Sequence, residues 1–118
     1  MDVNLGKWYR AEIDKKQFKE LCKKSDWQGF KHMLIYFTAL FVSGYLAYAT
    51  WGTWWCVLFF FIYGNIWGCS DALWHETGHR TAFKSKFWND FFYYIAGFMD
   101  NFEPIRWRYS HFHHHSYT

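Results

Sequence analysis

Residues 33–70 read MLIYFTALFVSGYLAYATWGTWWCVLFFFIYGNIWGCS, which is 38 consecutive residues without Asp, Glu, Lys, Arg or His. Soluble domains rarely contain such a run, because about 20 apolar residues are enough for a helix to cross the hydrocarbon layer of a membrane. The run is long enough for two spans, at about residues 33–50 and 54–74. We therefore expect an all-α integral membrane protein.

A Gly and three Trp separate the two predicted spans, in the segment Trp51-Gly52-Thr53-Trp54-Trp55. Indole rings favour the membrane–water interface, so this segment is predicted to be the tip of a transmembrane helical hairpin. Eight Lys or Arg precede the first span, none lies at the tip, and Arg80, Lys84 and Lys86 follow the second span. Both ends of the hairpin should therefore face the cytosol. A buried hairpin in a soluble protein is the alternative.

The regions on either side of the apolar run are polar or amphipathic. Residues 1–31 are predicted to form a polar cytosolic N-terminal extension. Its charges of both signs are interleaved and the net charge of the chain is only +3, so no nucleic-acid partner is expected.

After the apolar run, apolar residues recur at helical spacing, which predicts a helix lying in the cytosolic membrane interface. The stripe comprises Phe87, Trp88, Phe91, Phe92, Ile95, Phe98 and Met99, whereas Asn89, Asp90 and Tyr93 lie off it.

Six of the seven histidines lie in two clusters, of which the first is His75-Glu76-Thr77-Gly78-His79. On a helix, residues four apart share one face with their Cβ atoms about 5–6 Å apart. Two imidazoles in this arrangement can bind the same metal ion. Asp71 lies one turn earlier on that face, and we expect it to orient one ring by accepting its N–H.

The second cluster is His111-Phe112-His113-His114-His115, which Pro104 separates from the preceding helix. At about 100° per residue, His111, His114 and His115 fall within an arc of about 100°, whereas His113 points away. Nitrogen-rich sites with open positions suit a redox metal. The isolated His32 is expected to be structural. The predicted metal ligands are His75, His79, His111, His114 and His115.

The first cluster also matches H-E-x-x-H, the zinc-protease pattern in which the Glu is the general base. A membrane zinc metalloprotease that uses His75, Glu76 and His79 is therefore the alternative hypothesis. Zinc would need one further protein ligand, so this hypothesis leaves most of the second cluster unexplained. We favour iron for that reason. A non-enzymatic membrane module that binds metal is a third hypothesis.

The two clusters also resemble motifs of a known family. His75-Glu76-Thr77-Gly78-His79, continued by Arg80-Thr81-Ala82-Phe83, resembles the first histidine box (H-x-x-x-H) of membrane fatty acid desaturases. The segment from Trp107 to Thr118 resembles their second box (H-x-x-H-H) with its Trp-basic lead-in. The order of the boxes, their separation and a hairpin before the first box are also similar. Residues 32–118 are therefore predicted to be a partial fatty acid desaturase domain.

The resemblance implies a four-helix membrane enzyme, a desaturase or a related hydroxylase, whose cytosolic cap holds two iron ions. Such enzymes use O₂ to remove hydrogen from a lipid acyl chain, with electrons from a partner such as cytochrome b5, ferredoxin or rubredoxin. Carried over by position, the five predicted ligands would bind iron, and Glu76 would lie behind them rather than bind. The family has a third box after a second pair of transmembrane helices, and this sequence contains neither. We therefore expect a C-terminally truncated fragment with an incomplete four-helix fold and no activity alone.

Overall fold

The computed structural model describes residues 12–117 of the 118-residue chain. Within these residues the chain forms six helices and no strand. The predicted all-α fold is therefore confirmed for this part of the chain, whereas residues 1–11 of the predicted N-terminal extension lie outside it. The helices are α1 (Lys15–Leu21), α2 (Asp26–Ala49), α3 (Trp54–Gly68), α4 (Ser70–Gly78), α5 (Lys86–Met99) and α6 (Pro104–Tyr117).

Helices α2 and α3 form a hairpin around the turn at residues 50–53. Gly52 has a φ of +83° in this turn, a conformation that a residue without a side chain adopts easily. Tyr63 of α3 packs against α2 at Gly44, where a Cβ would lie 3.1 Å from the Tyr63 ring. The predicted hairpin is therefore present, and Trp51 and Trp54 at its tip are exposed.

Both arms of the hairpin are long and apolar enough to cross a membrane. The first begins at Asp26, earlier than the predicted span, and the second covers Trp54–Gly78 with a local break between α3 and α4. Hydropathy locates the apolar part of a helix and not its first hydrogen-bonded turn, which explains the difference. Leu34, Phe41 and Phe60 are 69%, 71% and 63% exposed, so the arms present large apolar side chains outwards.

Helix α5 packs against α4 through a face that the apolar stripe did not reveal. Asn89 and Tyr93, which lie off the predicted stripe, are each 1% exposed. Phe91 and Phe98 of the stripe are exposed instead. Phe92 of the stripe is buried, so the stripe faces outwards only in part, and its contact with a membrane interface stays a prediction.

Asn89 fixes the loop between α4 and α5. Its amide nitrogen donates to the carbonyl groups of Phe83 and Ser85 at 2.8 Å, and its amide oxygen accepts from the Phe83 N–H at 3.2 Å. These bonds compensate for the burial of a polar side chain. Phe83 is completely buried, stacks on Phe92 of α5 and packs with Met33 of α2. This cluster attaches the hairpin to the loop that follows α4.

Gly29→Ala should lower the thermal stability of the chain. A Cβ at Gly29 would lie 2.5 Å from the ring of Phe83 and 2.7 Å from the carbonyl oxygen of Ala82. Overpacking of this kind costs about 1–3 kcal/mol, which exceeds the about 0.5–1 kcal/mol that Ala gains over Gly inside a helix. Thermal unfolding in detergent, followed by far-ultraviolet circular dichroism, measures the change.

Gly64→Ala is the matched control, because Gly64 is also inside a helix and, apart from its chain neighbours and the backbone of that helix, no atom of the described residues lies within 4 Å of its Cβ position. Its melting temperature should equal or exceed that of the wild type. Equal melting temperatures for the Gly29 and Gly64 variants would contradict the close packing of α2 against the loop.

Candidate metal centre

Helix α4 places two histidines on one face at its C-terminal end. His75 lies in the last turn, and His79 is the C-cap residue, whose N–H donates to the His75 carbonyl at 3.1 Å. The centroids of the two rings are 4.8 Å apart. The predicted helical spacing of the first cluster is therefore confirmed.

Helix α6 carries the second cluster and begins at Pro104. Proline suits the first helical position, because an N–H there would lack a partner within the helix. The Glu103 carboxylate accepts hydrogen bonds from two N–H groups of the first turn and so caps the helix. His111 and His115 lie on one face of α6, with their ring centroids 4.6 Å apart.

The two helices bring four histidine rings together. The centroid of the His111 ring is 4.5 Å from that of His75 and 4.7 Å from that of His79. His115 completes the group, with its centroid 5.0 Å from that of His79. One ring nitrogen of each of the four histidines lies within 4.8 Å of the other three. These residues form the four-histidine cluster.

The spacing of the ring nitrogens fits one metal ion. His79 Nε2 and His111 Nε2 are 2.8 Å apart, and His111 Nε2 and His115 Nε2 are 3.1 Å apart. Nitrogens bound to one tetrahedral ion at about 2.0–2.1 Å lie about 3.3 Å from each other, so these two pairs are close to the spacing that an ion requires, and all four nitrogens lie within 4.8 Å of one another. Imidazole is a suitable ligand for iron, copper, nickel and zinc.

The surroundings of the cluster favour neutral histidines. Burial lowers the pKa of His79, and the rings of His75 and His115 lower it further. The pKa of His111 is lowered for the same reasons, first by burial and then by the other histidine rings. Because a metal binds the lone pair of a deprotonated ring nitrogen, the lowered pKa values favour ligation near neutral pH.

Of the five predicted ligands, four form the cluster and His114 lies beside it. The His114 side chain is exposed, and its ring centroid is 6.2 Å from that of His111 and 5.4 Å from that of His115. Its assignment as a ligand stays a prediction. His113, which is not among the predicted ligands, lies outside the four-histidine cluster and packs against Tyr117 at 4.4 Å between centroids.

The two acidic residues near the first histidine pair, Glu76 and Asp71, lie outside the four-histidine cluster. Glu76 lines a cavity of about 300 Å³ between α2 and α4, together with His32 and Tyr36. Asp71 is exposed and, within the described residues, makes no hydrogen bond to His75. The prediction that Asp71 orients a ring is therefore wrong in this structure, because the His75 ring turns towards α6 instead.

Aromatic side chains that were not among the predicted site residues pack around the four-histidine cluster. Trp107 stacks on His111 with centroids 4.3 Å apart and ring planes 12° apart, and the buried Trp74 packs against Trp107. The Tyr93 hydroxyl donates to the first carbonyl of α6. A Cβ at Gly78 would lie 3.0 Å from Trp107 and 3.1 Å from Tyr93, so a glycine allows this close approach. Trp107 belongs to the lead-in of the second box, whereas no sequence signal singles out Tyr93.

A charged contact links the residues next to the two histidine pairs. Asp90 of α5 accepts two hydrogen bonds of 3.2 Å from Arg80, and its Oδ1 is 2.9 Å from Arg108 Nη2. Burial alone would raise the pKa of Asp90, but the two guanidinium groups outweigh it, and the pKa is lowered. The stability from these contacts is therefore present above the ordinary pKa of Asp and is lost as the pH falls through the lowered value.

His111→Ala should reduce the affinity of the purified chain for Co²⁺ by at least about tenfold, because His111 is in contact with the three other rings of the cluster. Titration in detergent, followed by the visible absorption of bound Co²⁺, measures the affinity. His113→Ala is the control on the same helix and should bind as the wild type does. A similar loss in both variants would contradict the four-histidine assignment.

Comparison with protein families agrees with the geometry. The model of the family described as Fatty acid desaturase matches residues 50–118, which is more than half of the chain. The matched region runs from the hairpin tip through both histidine pairs. No curated protein and no solved structure matches the chain significantly. The chain belongs to the fatty acid desaturase family.

Proposed function

We propose that this chain carries part of the catalytic site of an oxygen-dependent lipid desaturase, or a closely related hydroxylase, with a histidine-ligated di-iron centre. The observation that supports this most directly is the convergence of the four-histidine cluster in a chain of the desaturase family. The two pairs lie on helices that α5 separates in sequence. Their meeting is therefore a property of the whole fold and not of one local motif.

Iron is the metal that the family and the donor set favour together. Neutral imidazoles bind iron well, and a redox metal can use coordination positions that the protein leaves open. When bound, iron would supply the activation of O₂ for hydrogen removal from an acyl C–H bond. The electrons would come from a partner such as cytochrome b5, ferredoxin or rubredoxin, and the substrate would be a lipid acyl chain.

The residues of the chain hold and orient the ligands. The lowered pKa values of His79 and His111 leave a ring lone pair available near neutral pH. Trp107 fixes the plane of the His111 ring by stacking on it and covers one face of that ring from water. Such support around a ligand typically changes metal affinity by about 10- to 100-fold.

A second iron needs ligands beyond the four-histidine cluster. We assign His114 to it, because its ring lies 5.4 Å from the ring of His115, within reach of an ion next to the first. The other ligands of the second iron would come from residues outside the five predicted histidines. We therefore expect these five alone to bind metal without supporting desaturation.

The structure and the family together support association with a membrane. We propose that the hairpin crosses the membrane twice and that the four-histidine cluster lies at the cytosolic surface. His75 lies in the last turn of the second apolar helix, so the cluster is at the end of that helix. Lys24 Nζ donates to the Arg80 carbonyl at 2.8 Å, which places basic residues beside the cluster, as expected on the cytosolic side.

The geometry gives less support to a zinc protease. In such an enzyme Glu76 would act on a metal-bound water, but Glu76 lines the cavity between α2 and α4. Four histidines would also fill the coordination of a tetrahedral zinc ion, whereas catalytic zinc sites keep one position for water. Both observations favour the desaturase assignment.

Iron should be the main metal in the chain when it is purified in detergent from cells supplied with iron and zinc. His75→Ala and His115→Ala should each remove most of it, because each histidine is one of four donors. His32→Ala should keep its iron, because His32 lies outside the cluster. Mass spectrometry of metals, normalised to protein, measures the content.

The same measurement separates the two enzyme hypotheses. A protease site needs His75, His79 and only one further protein ligand, so it does not need both His111 and His115. Zinc as the main metal, lost in His75→Ala and retained in His115→Ala, would therefore contradict the desaturase assignment and support the protease.

A further inference from the structure

An ion-pair bridge joins the two histidine pairs through α5. Arg80 directly follows His79, and Arg108 lies about one turn before His111. Asp90 contacts both guanidinium groups, with distances of 3.2 Å to Arg80 and 2.9 Å to Arg108. Together Arg80, Asp90 and Arg108 form the ion-pair bridge.

The bridge is shielded from water on its Arg108 side. The side chains of Arg108 and Asp90 are 18% and 26% exposed, and the guanidinium carbon of Arg108 is 4.0 Å from the centroid of the Tyr93 ring. Nε of Arg108 is buried and makes no hydrogen bond with the described residues, and the contact of Nη2 with Asp90 Oδ1 is an ion pair without hydrogen-bond geometry. The Asp90 carboxylate therefore balances the charge of the largely buried Arg108 guanidinium. Without this carboxylate the guanidinium would be buried and unpaired, so Arg108 would no longer favour its present position.

Arg80 has a backbone conformation that arginine rarely adopts. Its φ is +58°, and it is the first residue after the C-cap of α4. The N–H groups of Arg80 and Thr81 donate to the carbonyls of Thr77 and Glu76, which is the Schellman ending of a helix. Glycine is the usual residue at this position, because a side chain disfavours a positive φ. In this conformation the Arg80 side chain forms the ion pair with Asp90.

Helix α5 ends in the same way with a more tolerant residue. Asn101 follows its C-cap with a φ of +55°, and the same pair of hydrogen bonds closes the helix. Asparagine adopts this conformation several times more often than most residues do. The backbones of the two helix ends are therefore alike, and the arginine side chain in the ion pair is what distinguishes Arg80.

Aromatic contacts bring α4 and α6 together. Trp74 packs against Trp107 with ring planes 45° apart, and Trp107 stacks on His111, but neither contact includes a charged group. The two hydrogen bonds from Arg80 to Asp90 depend on direction as well as distance, and the ion pair with Arg108 brings the same carboxylate into contact with α6. The bridge is therefore suited to hold the register of the two helices.

We propose that Asp90 is a positioning residue for the metal site. Through Arg80 it holds the end of α4 that carries His79. Through Arg108 it holds the turn of α6 that leads to His111. The bridge thereby sets the spacing at which one ion contacts both histidine pairs. This inference rests on the proposed function, because it presupposes that the four-histidine cluster binds metal.

Arg80→Gly separates positioning from general stability. Glycine relieves the φ of +58° while it removes the ion pair, so the melting temperature in detergent should not fall. The affinity for Co²⁺ should nevertheless fall by about tenfold, because the two histidine pairs are no longer held in register. Titration of the purified full chain, followed by the visible absorption of bound Co²⁺, reports affinity and coordination geometry together.

Three further variants complete the test. Asn101→Gly makes the same backbone change at the end of α5 without altering the bridge, so it should keep the wild-type melting temperature, Co²⁺ affinity and spectrum. Asp90→Asn should weaken Co²⁺ binding as Arg80→Gly does. Asp90→Glu should restore part of the affinity, because it keeps the carboxylate that both arginines bind.

The outcomes distinguish the bridge from the metal site itself. Wild-type Co²⁺ affinity and an unchanged spectrum in Arg80→Gly and Asp90→Asn would overturn the positioning role while leaving the metal site intact. A loss of affinity in Arg80→Gly together with a matching loss of thermal stability would also overturn it, because that result indicates general unfolding. Failure of the unaltered chain to bind Co²⁺ would instead overturn the metal site and the proposed function.

Discussion

The burial of Tyr93 between α4, α5 and α6 is the constraint on which the rest of the site depends. Its ring is 1% exposed, stacks with Trp74 of α4 and lies under the guanidinium of Arg108, while its hydroxyl donates to the first carbonyl of α6. One side chain of α5 therefore contacts both helices that carry histidines. Without it, residues 79–103 would connect the two histidine pairs through a long segment, which alone fixes no distance between its ends.

The sequence predicted those features of the fold that depend on the composition or spacing of a single segment. An uncharged run and a Trp-rich turn predict the hairpin, because apolar segments favour the hydrocarbon layer of a membrane and Trp favours its interface. Each of these preferences can be recognised from one segment alone. The spacing of His75 and His79 predicts that they share a face, because the repeat of one helix decides it. The inner face of α5 has no such signal. Periodicity counts apolar side chains, whereas Asn89 and Tyr93 are buried because their polar groups find partners in neighbouring segments.

The same distinction explains how the five predicted ligands are placed. The helical repeat puts His111, His114 and His115 within one arc, which depends on α6 alone. The rotation of α6 about its own axis then determines which of them meet the first pair. That rotation depends on Trp107, which stacks on His111 and packs against Trp74, and no repeat within one helix contains this information. For Asp71 the helical repeat was misleading. Asp71 lies one turn before His75 on α4, but the His75 ring turns towards α6 and does not contact Asp71.

Charge gives α5 a second effect on the site. The four-histidine cluster contains no carboxylate, so the positive charge of a bound metal ion would not be balanced by its ligands. Arg80 and Arg108 lie close in sequence to the two histidine pairs, and Asp90 contacts both of them. Its lowered pKa keeps Asp90 ionised throughout the neutral range, so these ion pairs persist under the conditions in which a metal would bind. Helix α5 thus acts on the metal site in two ways: Tyr93 packs between α4 and α6, and Asp90 links the residues beside the two histidine pairs by charge.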